Sequence, residues 1–275
     1  LPSILPSAAD YGQFEYKGVS IPICVCAGDQ QASVAFAGLE KGQSCINYGT
    51  GAFLLYNAGR EKPIFLPGLL TSLSVSALDG TCDYLLEGPV NAAGSALMWL
   101  KAQGIEFEPA DTDALCQAAV HPVWLLPALG GLGAPYWDFS LSPIVAGLSP
   151  RTRKPDWVCG MVRAIAFLLA DIAAYLRANG LASQGPVKVS GGLAKSNWLL
   201  AYQADLLQTP LLALQDTEST VLGAARLAGE RLGWTVRHWA PPVRQTFSPR
   251  LEAAAAKTLY GQWQTFVQWC KTYGK

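Results

Sequence analysis

Histidine, methionine and net charge are all scarce in this chain of 275 residues. It holds two histidines, two methionines, and twenty basic residues against twenty acidic ones. A zero balance leaves no electrostatic footprint for nucleic acid or a membrane surface, so the ligand expected is small. His121 and His238 stand far apart and no Cys-x-x-Cys occurs, which leaves no local zinc pattern. With no nucleophile elbow for those histidines to serve, a serine-type hydrolase is set aside. Charged residues make up only 15%, fewer than a lone soluble domain carries, and this points to surface that an interface covers. The longest apolar stretches are cut by Gly, Pro or charge, and no secretory signal is read, so neither a bilayer-spanning segment nor export is expected. Seven cysteines, at 24, 26, 45, 82, 116, 159 and 270, are odd in number and scattered through apolar runs. They read as the reduced core of a soluble, cytoplasmic protein. The chain opens on Leu1-Pro2-Ser3-Ile4-Leu5-Pro6 rather than on Met, which reads as a connector inside something longer.

What is abundant is apolar surface. Hydrophobic residues reach 51%, enough for a sizeable core in one large domain or two modest ones. No internal repeat or low-complexity tract is found. Residues 1–20 read as an extended segment that pairs loosely, 21–26 as a first strand and 30–37 as a short helix ended by Gly38. Strands are expected at 44–48, 52–57, 70–77 and 82–87, broken by Gly49-Thr50-Gly51, a Pro/Gly loop and the Asp79-Gly80 turn. The pattern then turns helical at 91–103 and at 111–119, with Asp111 as N-cap. A buried strand at 123–126 leads into a glycine-rich loop, 129–138. Helices at 156–179, 195–207 and 219–232 then alternate with strands at 187–189 and 211–214. A helical tail at 251–272 carries Trp263, Phe266 and Trp269 on what reads as one packed face.

Two segments carry chemistry. In Asn47-Tyr48-Gly49-Thr50-Gly51-Ala52-Phe53, two glycines flanking a threonine allow a tight turn whose N–H groups and hydroxyl address an anion such as phosphate. In Gly28-Asp29-Gln30-Gln31, a carboxylate follows the apolar run Ile23-Cys24-Val25-Cys26 and would stand at the carboxyl end of a strand, where open α/β sheets bind ligands. Together they point to phosphoryl transfer. From the residues alone, Asp29 reads first as a helix cap and Gly-x-Gly first as an ordinary hairpin turn.

With Leu86-Glu87-Gly88, the stretch from Gly131 to Asp138 and Ser190-Gly191-Gly192 added, the order of segments resembles the carboxy-terminal domain of an FGGY carbohydrate kinase across nearly all 275 residues. The Asp-Gln-Gln and Tyr-Gly-Thr-Gly forms look more like glycerol kinase than xylulokinase. The resemblance implies an α/β, actin-like ATPase (ribonuclease H-like) lobe with a mixed sheet flanked by helices, residues 1–275 forming the nucleotide-binding lobe. It implies ATP and Mg2+ as cofactors, a polyol or sugar substrate (glycerol favoured), and an amino-terminal lobe that this sequence lacks, so that the piece alone is expected to be inactive. A homo-oligomer is compatible with the family.

By the same resemblance Asp29 is the general base and a shared Mg2+ contact, Gln30 bonds a substrate hydroxyl, and Phe53 packs on the substrate's carbon chain. Thr50 and Gly51 meet the transferred phosphate, and Gly94, Gly191, Gly192 and Ser196 lie at the nucleotide. Ser190 and Met98 depart from the residues common in glycerol kinases, and Ser196 from a common Asn. Glu87 is left out of catalysis, and Trp137 and Asp138 are read as fixing their loop. A ketose or pentitol kinase, and a non-catalytic nucleotide-binding scaffold, stand as the alternatives.

Overall fold

The computed structural model describes residues 3–76, 80–234 and 240–274. Leu1 and Pro2 of the expected connector, Ala77 and Asp79 of the expected strand and turn, and His238 lie outside these. In chain order come β1 (Gln13–Tyr16), β2 (Val19–Pro22), α1 (Asp29–Ala37), β3 (Ser44–Tyr48), β4 (Ala52–Gly59), β5 (Leu70–Leu73) and β6 (Tyr84–Val90). They are followed by α2 (Gly94–Ala102), α3 (Thr112–Ala118), β7 (Trp124–Leu126), β8 (Ile144–Ala146) and α4 (Lys154–Ala178). The last third holds β9 (Val187–Gly191), α5 (Asn197–Leu207), β10 (Leu211–Leu214), α6 (Ser219–Arg231), β11 (Val243–Phe247) and α7 (Ala253–Tyr273).

One mixed sheet of seven strands, in the order β11-β10-β9-β3-β4-β6-β5, divides the molecule. Its centre is β3, antiparallel to β4 and parallel to β9. Side chains alternate across it as the pleat requires. Cys45, Leu55 and Leu85 meet Val34 and Ala37 of α1, while Ile46, Tyr48, Leu54 and Leu86 join the larger core that includes α4. Gly88 of β6 is small because Ile172 of α4 occupies the space its side chain would need. Pro89 is tolerated because its carbonyl faces Ala134 N–H at 2.9 Å, away from the ladder with β4, so its missing N–H lies on that outer side too.

The expected strand at 21–26 is not in the sheet. Residues 13–22 form the β1–β2 hairpin, and 23–26 pair instead with the preceding chain through Ile23 N–H to Gly12 O, 2.8 Å, and Cys26 N–H to Ser7 O, 2.9 Å. The strand expected at 70–77 stops at Leu73, and that expected at 82–87 runs from Tyr84 to Val90. Asp83 still takes Ser74 N–H on its carbonyl at 2.8 Å, but its own N–H turns to the Ser74 hydroxyl at 2.9 Å instead of a backbone carbonyl, and the ladder ends there. Strands β8 and β11 were not anticipated.

Helix α4 is long and apolar enough, by length and composition, to cross a bilayer, although Arg163 and Asp171 interrupt its apolar run as expected. Most of it is buried inside the fold, because the sheet lies on one flank and α2, α3, α5 and β7 on others. Helix α7 docks on it through Trp263, which is fully buried and stacks on Phe167 at 4.9 Å between ring centroids. Its buried face runs through Ala256, Trp263, Val267 and Cys270. Spacing of three residues drifts off that line, which leaves Phe266 at its margin and Trp269 half exposed rather than packed.

Trp263 Nε1 and Tyr260 Oη both donate to the buried carboxylate of Asp171, at 2.8 and 2.7 Å. Burial pushes the Asp171 carboxyl up from 3.8 to about 6, against the lowering effect of its three side-chain donors. The folded chain therefore binds this proton more tightly than the unfolded chain, and stability falls as pH rises from 3.8 through 6. The loss attributable to this group is about 3 kcal/mol. Urea denaturation at intervals from pH 4 to pH 7 should show the stability gap between wild type and Asp171→Asn changing by that order, with wild type losing ground as pH rises.

Candidate functional site

Asp29 opens α1 after Gly28, whose extended backbone forms the N-cap without a side-chain cap. Its Oδ1 accepts from Gln30 N–H at 2.9 Å and its Oδ2 from Gln30 Nε2 at 3.4 Å, and the residue remains exposed. The carboxylate thus follows an irregular segment, not the end of a sheet strand, and sits where the helix dipole favours negative charge. Gln30 Oε1 is buried and has no partner among the described residues. Phe53, on β4, packs half-buried on the α1 face of the sheet.

A helix of nine residues needs external anchors, and α1 has them at both ends. Helix α6 crosses it so closely that the Ala32 carbonyl fills the space beside Gly223. The Ser33 hydroxyl meets those of Thr220 and Ser219 at 3.1 Å, and Thr220 Oγ1 reaches the Asp29 carbonyl at 3.4 Å. At the far end Lys188 Nζ donates to the carbonyls of Ala37 and Gly38 at 2.7 and 3.1 Å, and Arg226 Nη1 to that of Ala35 at 2.6 Å. Burial holds the Lys188 ammonium below its usual range.

The turn between β3 and β4 is gripped by the start of α2. Thr50 O accepts from Ala93 N–H, Ser95 N–H and Ser95 Oγ at 3.0, 2.9 and 3.0 Å, and Gly49 O accepts from Gly94 N–H at 3.1 Å. Glycine at 94 lets the Gly49 carbonyl come this close, and glycine at 51 does the same for Val90 O. Among the described residues the N–H groups of Thr50 and Gly51 and the Thr50 hydroxyl make no recorded bond beyond the strand ladders, so the turn keeps donors for an anion. This close fit also moves the start of α2 from the expected 91 to 94.

Beside the turn, Tyr48 pairs with Gly191. Gly191 has φ 95° and lies against the Tyr48 carbonyl, so both backbone and space demand glycine there. Gly192 differs, with nothing within 4 Å of the position a side chain would take. It borders a cavity of about 260 Å3 that Ser196 and Lys195 share with Leu97 of α2, Val162 and Ile165 of α4, and Asp113 of α3. An apolar cleft with a few polar groups suits a heterocyclic base. Ser196 caps α5 by accepting from Leu199 N–H at 3.1 Å and donates to Asp113, whose other oxygen takes Asn197 N–H at 3.0 Å. Asp113, Ser219, Thr220 and Gly223 were missed in the sequence, where an acid in a first helical turn and small residues in a helix carry no distinguishing signal. Asp111, expected as a cap, turns its carboxylate back to Glu108 N–H at 3.3 Å.

Of the residues singled out, the structure joins Thr50, Gly51 and Gly94 in one clamp and puts Gly192 and Ser196 on one cavity, with Gly191 linking the two through β3. Asp29 and Gln30 contact each other, but no bond ties them to the turn among the described residues. No group of three His, Cys, Asp or Glu side chains suited to a metal occurs among those residues. Asp29 belongs to no such group, which suits an ion that keeps most of its own waters and takes phosphate oxygens as ligands.

Three antiparallel strands, β6-β4-β3, continued by parallel β9 and β10, define a ribonuclease H-like lobe of the actin-like ATPase type. The chain belongs to the FGGY family of carbohydrate kinases, matching its C-terminal domain over residues 45–230. A glycerol kinase of Limosilactobacillus reuteri is 34% identical across the whole chain, and one of Thermus thermophilus 33% identical across 98% of it. The chain spans 57% and 56% of those proteins' lengths. A Plasmodium falciparum glycerol kinase solved with ADP superposes with a TM-score of 0.85 at 25% identity, over 96% of this chain and 55% of that one. A xyloylose kinase of Brucella ovis shares the fold with a TM-score of 0.81 at 20% identity, over 98% of this chain and 58% of that one.

The two adjacent glycines separate in a direct test. Gly191→Ala should lower stability by more than about 2 kcal/mol, since it adds both left-handed strain and a backbone clash. Gly192→Ala should leave thermal unfolding within experimental error of wild type.

Proposed function

We propose that this chain is the nucleotide-binding lobe of an ATP-dependent kinase that phosphorylates a hydroxyl of a polyol or sugar, with glycerol as the favoured acceptor. The observation that carries the reading is the donor-bearing 49–51 turn, fixed through β3 and β9 next to the cavity at Gly192 and Ser196. Family membership and the glycerol kinase relatives support the reaction class, and the ADP of the Plasmodium structure supports the nucleotide.

In this reading the cavity holds the nucleotide's base and ribose, and the Thr50 and Gly51 donors receive the phosphate being transferred. Gly94 acts by letting the turn and α2 close together, since the Gly49 carbonyl fills the space a side chain there would take. Asp29 accepts the proton of the attacking hydroxyl, the unpartnered Gln30 Oε1 accepts a hydrogen bond from the substrate, and Phe53 covers its carbon chain. Mg2+ would supply charge neutralisation at the phosphates, held by Asp29 together with a second lobe. That lobe, amino-terminal to this one, completes the substrate side, so the 275 residues alone are expected to lack turnover. Self-association and a cytoplasmic location accompany the proposal.

The test is phosphorylation of glycerol, xylulose and ribulose by a protein carrying both lobes, with Asp29→Asn and Gly192→Val beside it. Asp29→Asn should cut kcat at least 100-fold, of the order of general-base loss, while ADP affinity stays unchanged. Gly192→Val should weaken ADP binding at least tenfold without unfolding the chain. Equal turnover of wild type and Asp29→Asn would sink the mechanism. ADP binding without any turnover would favour a nucleotide-binding scaffold.

A further inference from the structure

Beneath the first turn of α1 lies a buried carboxylate that the reaction above does not use. Glu87, on β6, is 8% exposed. Its Oε1 accepts from Ser72 Oγ of β5 and, at 3.4 Å, from Gln31 Nε2 of α1. Gln31 in turn bends back over Gly28, where its amide oxygen occupies the space that a side chain at 28 would fill. Gly28 has φ −68°, an ordinary value, so a side chain there would meet no backbone strain and would act by displacing the Gln31 amide from its place. The links form one chain from the sheet to the peptide that precedes Asp29: Ser72, Glu87, Gln31, Gly28.

We infer that Glu87 is a positioning residue, acting through Gln31 to set where the Asp29 carboxylate stands over the sheet. The inference rests on the kinase reading above and deepens it. No other described group ties the start of α1 to the sheet beneath. The α6 contacts hold α1 from the side, and Lys188 and Arg226 hold its far end. Strand β6 also pairs with β4, where Pro89 lies opposite Phe53. The same strand that bears Glu87 therefore backs the residue proposed to cover the substrate, and one rigid support sets both base and substrate wall. Removing the carboxylate frees Gln31 and strands the Ser72 hydroxyl. Positional errors of about 1 Å at a reacting group cost on the order of 100-fold in rate.

The experiment uses the protein with both lobes and whichever of glycerol, xylulose and ribulose its wild type phosphorylates. Glu87→Ala and Gln31→Ala are each expected to lower kcat by 10- to 100-fold per folded molecule, with ADP affinity within twofold of wild type. Glu87→Gln, which keeps an acceptor oxygen for Ser72, should recover at least half of that loss on a logarithmic scale. A purely structural role would lower Tm in Glu87→Ala and leave kcat per folded molecule at the wild-type value, and that result overturns the inference. Glu87→Gln no better than Glu87→Ala overturns it as well. Should Glu87→Ala not fold, Gln31→Ala decides alone, since it leaves the buried carboxylate and its serine in place. Failure of the underlying reading looks different: wild type and Asp29→Asn then turn over alike.

Discussion

Everything at the candidate site depends on the parallel pairing of β3 with β9. In an antiparallel sheet the chain would leave neighbouring strands at opposite edges. Here Tyr48 lies opposite Gly191, so β3 and β9 end at one edge and release their loops side by side. One loop is the 49–51 turn and the other is Gly192 with the start of α5. Because β3 also pairs antiparallel with β4, the first loop is a tight hairpin and not a crossover. A single strand with two kinds of neighbour thereby sets an anion-sized turn against a base-sized cleft.

Helix α1 is the second support. Its nine residues have little stability of their own, and its first residue is an exposed carboxylate. What fixes it is a division of labour between its ends. Two cations take up the orphan carbonyls at the carboxyl end, hydroxyls of α6 interlock along its side, and the sheet meets its first turn through a glutamine. Close backbone contact at Gly223 makes this arrangement intolerant of added volume, which is the usual sign that a helix must stand in one place.

What could be read from the sequence followed from local rules. The apolar runs of β3 and β10 bounded by turn residues, and the helical periods of α4, α5 and α6, stand close to their expected limits because burial and periodicity coincide there. Strand β11 escaped because Val-Arg-Gln-Thr-Phe is mostly exposed and looks like loop, and its pairing with β10 is tertiary. The start of α2 was misplaced because Ala93 N–H belongs to Thr50, forty-three residues earlier, an exchange that no local pattern encodes. The residues 23–26 look like a strand by composition but find their partners in a preceding irregular segment. At the site, motifs disclosed the turn and the carboxylate, whereas Asp113, Thr220 and Gly223 act through contacts between distant helices and leave no trace in spacing.

The three donors that α2 commits to the Thr50 carbonyl have one more consequence. They spend the free amides of the helix start on the protein's own backbone, so α2 is not itself an anion receptor and the turn cannot shift without it. One turn further on, Leu97 of the same helix walls the base-sized cleft. The two ends of the site are thus carried on a single rigid spacer. Its length is set by helical rise, and a ligand of the wrong span cannot be met by moving one end alone.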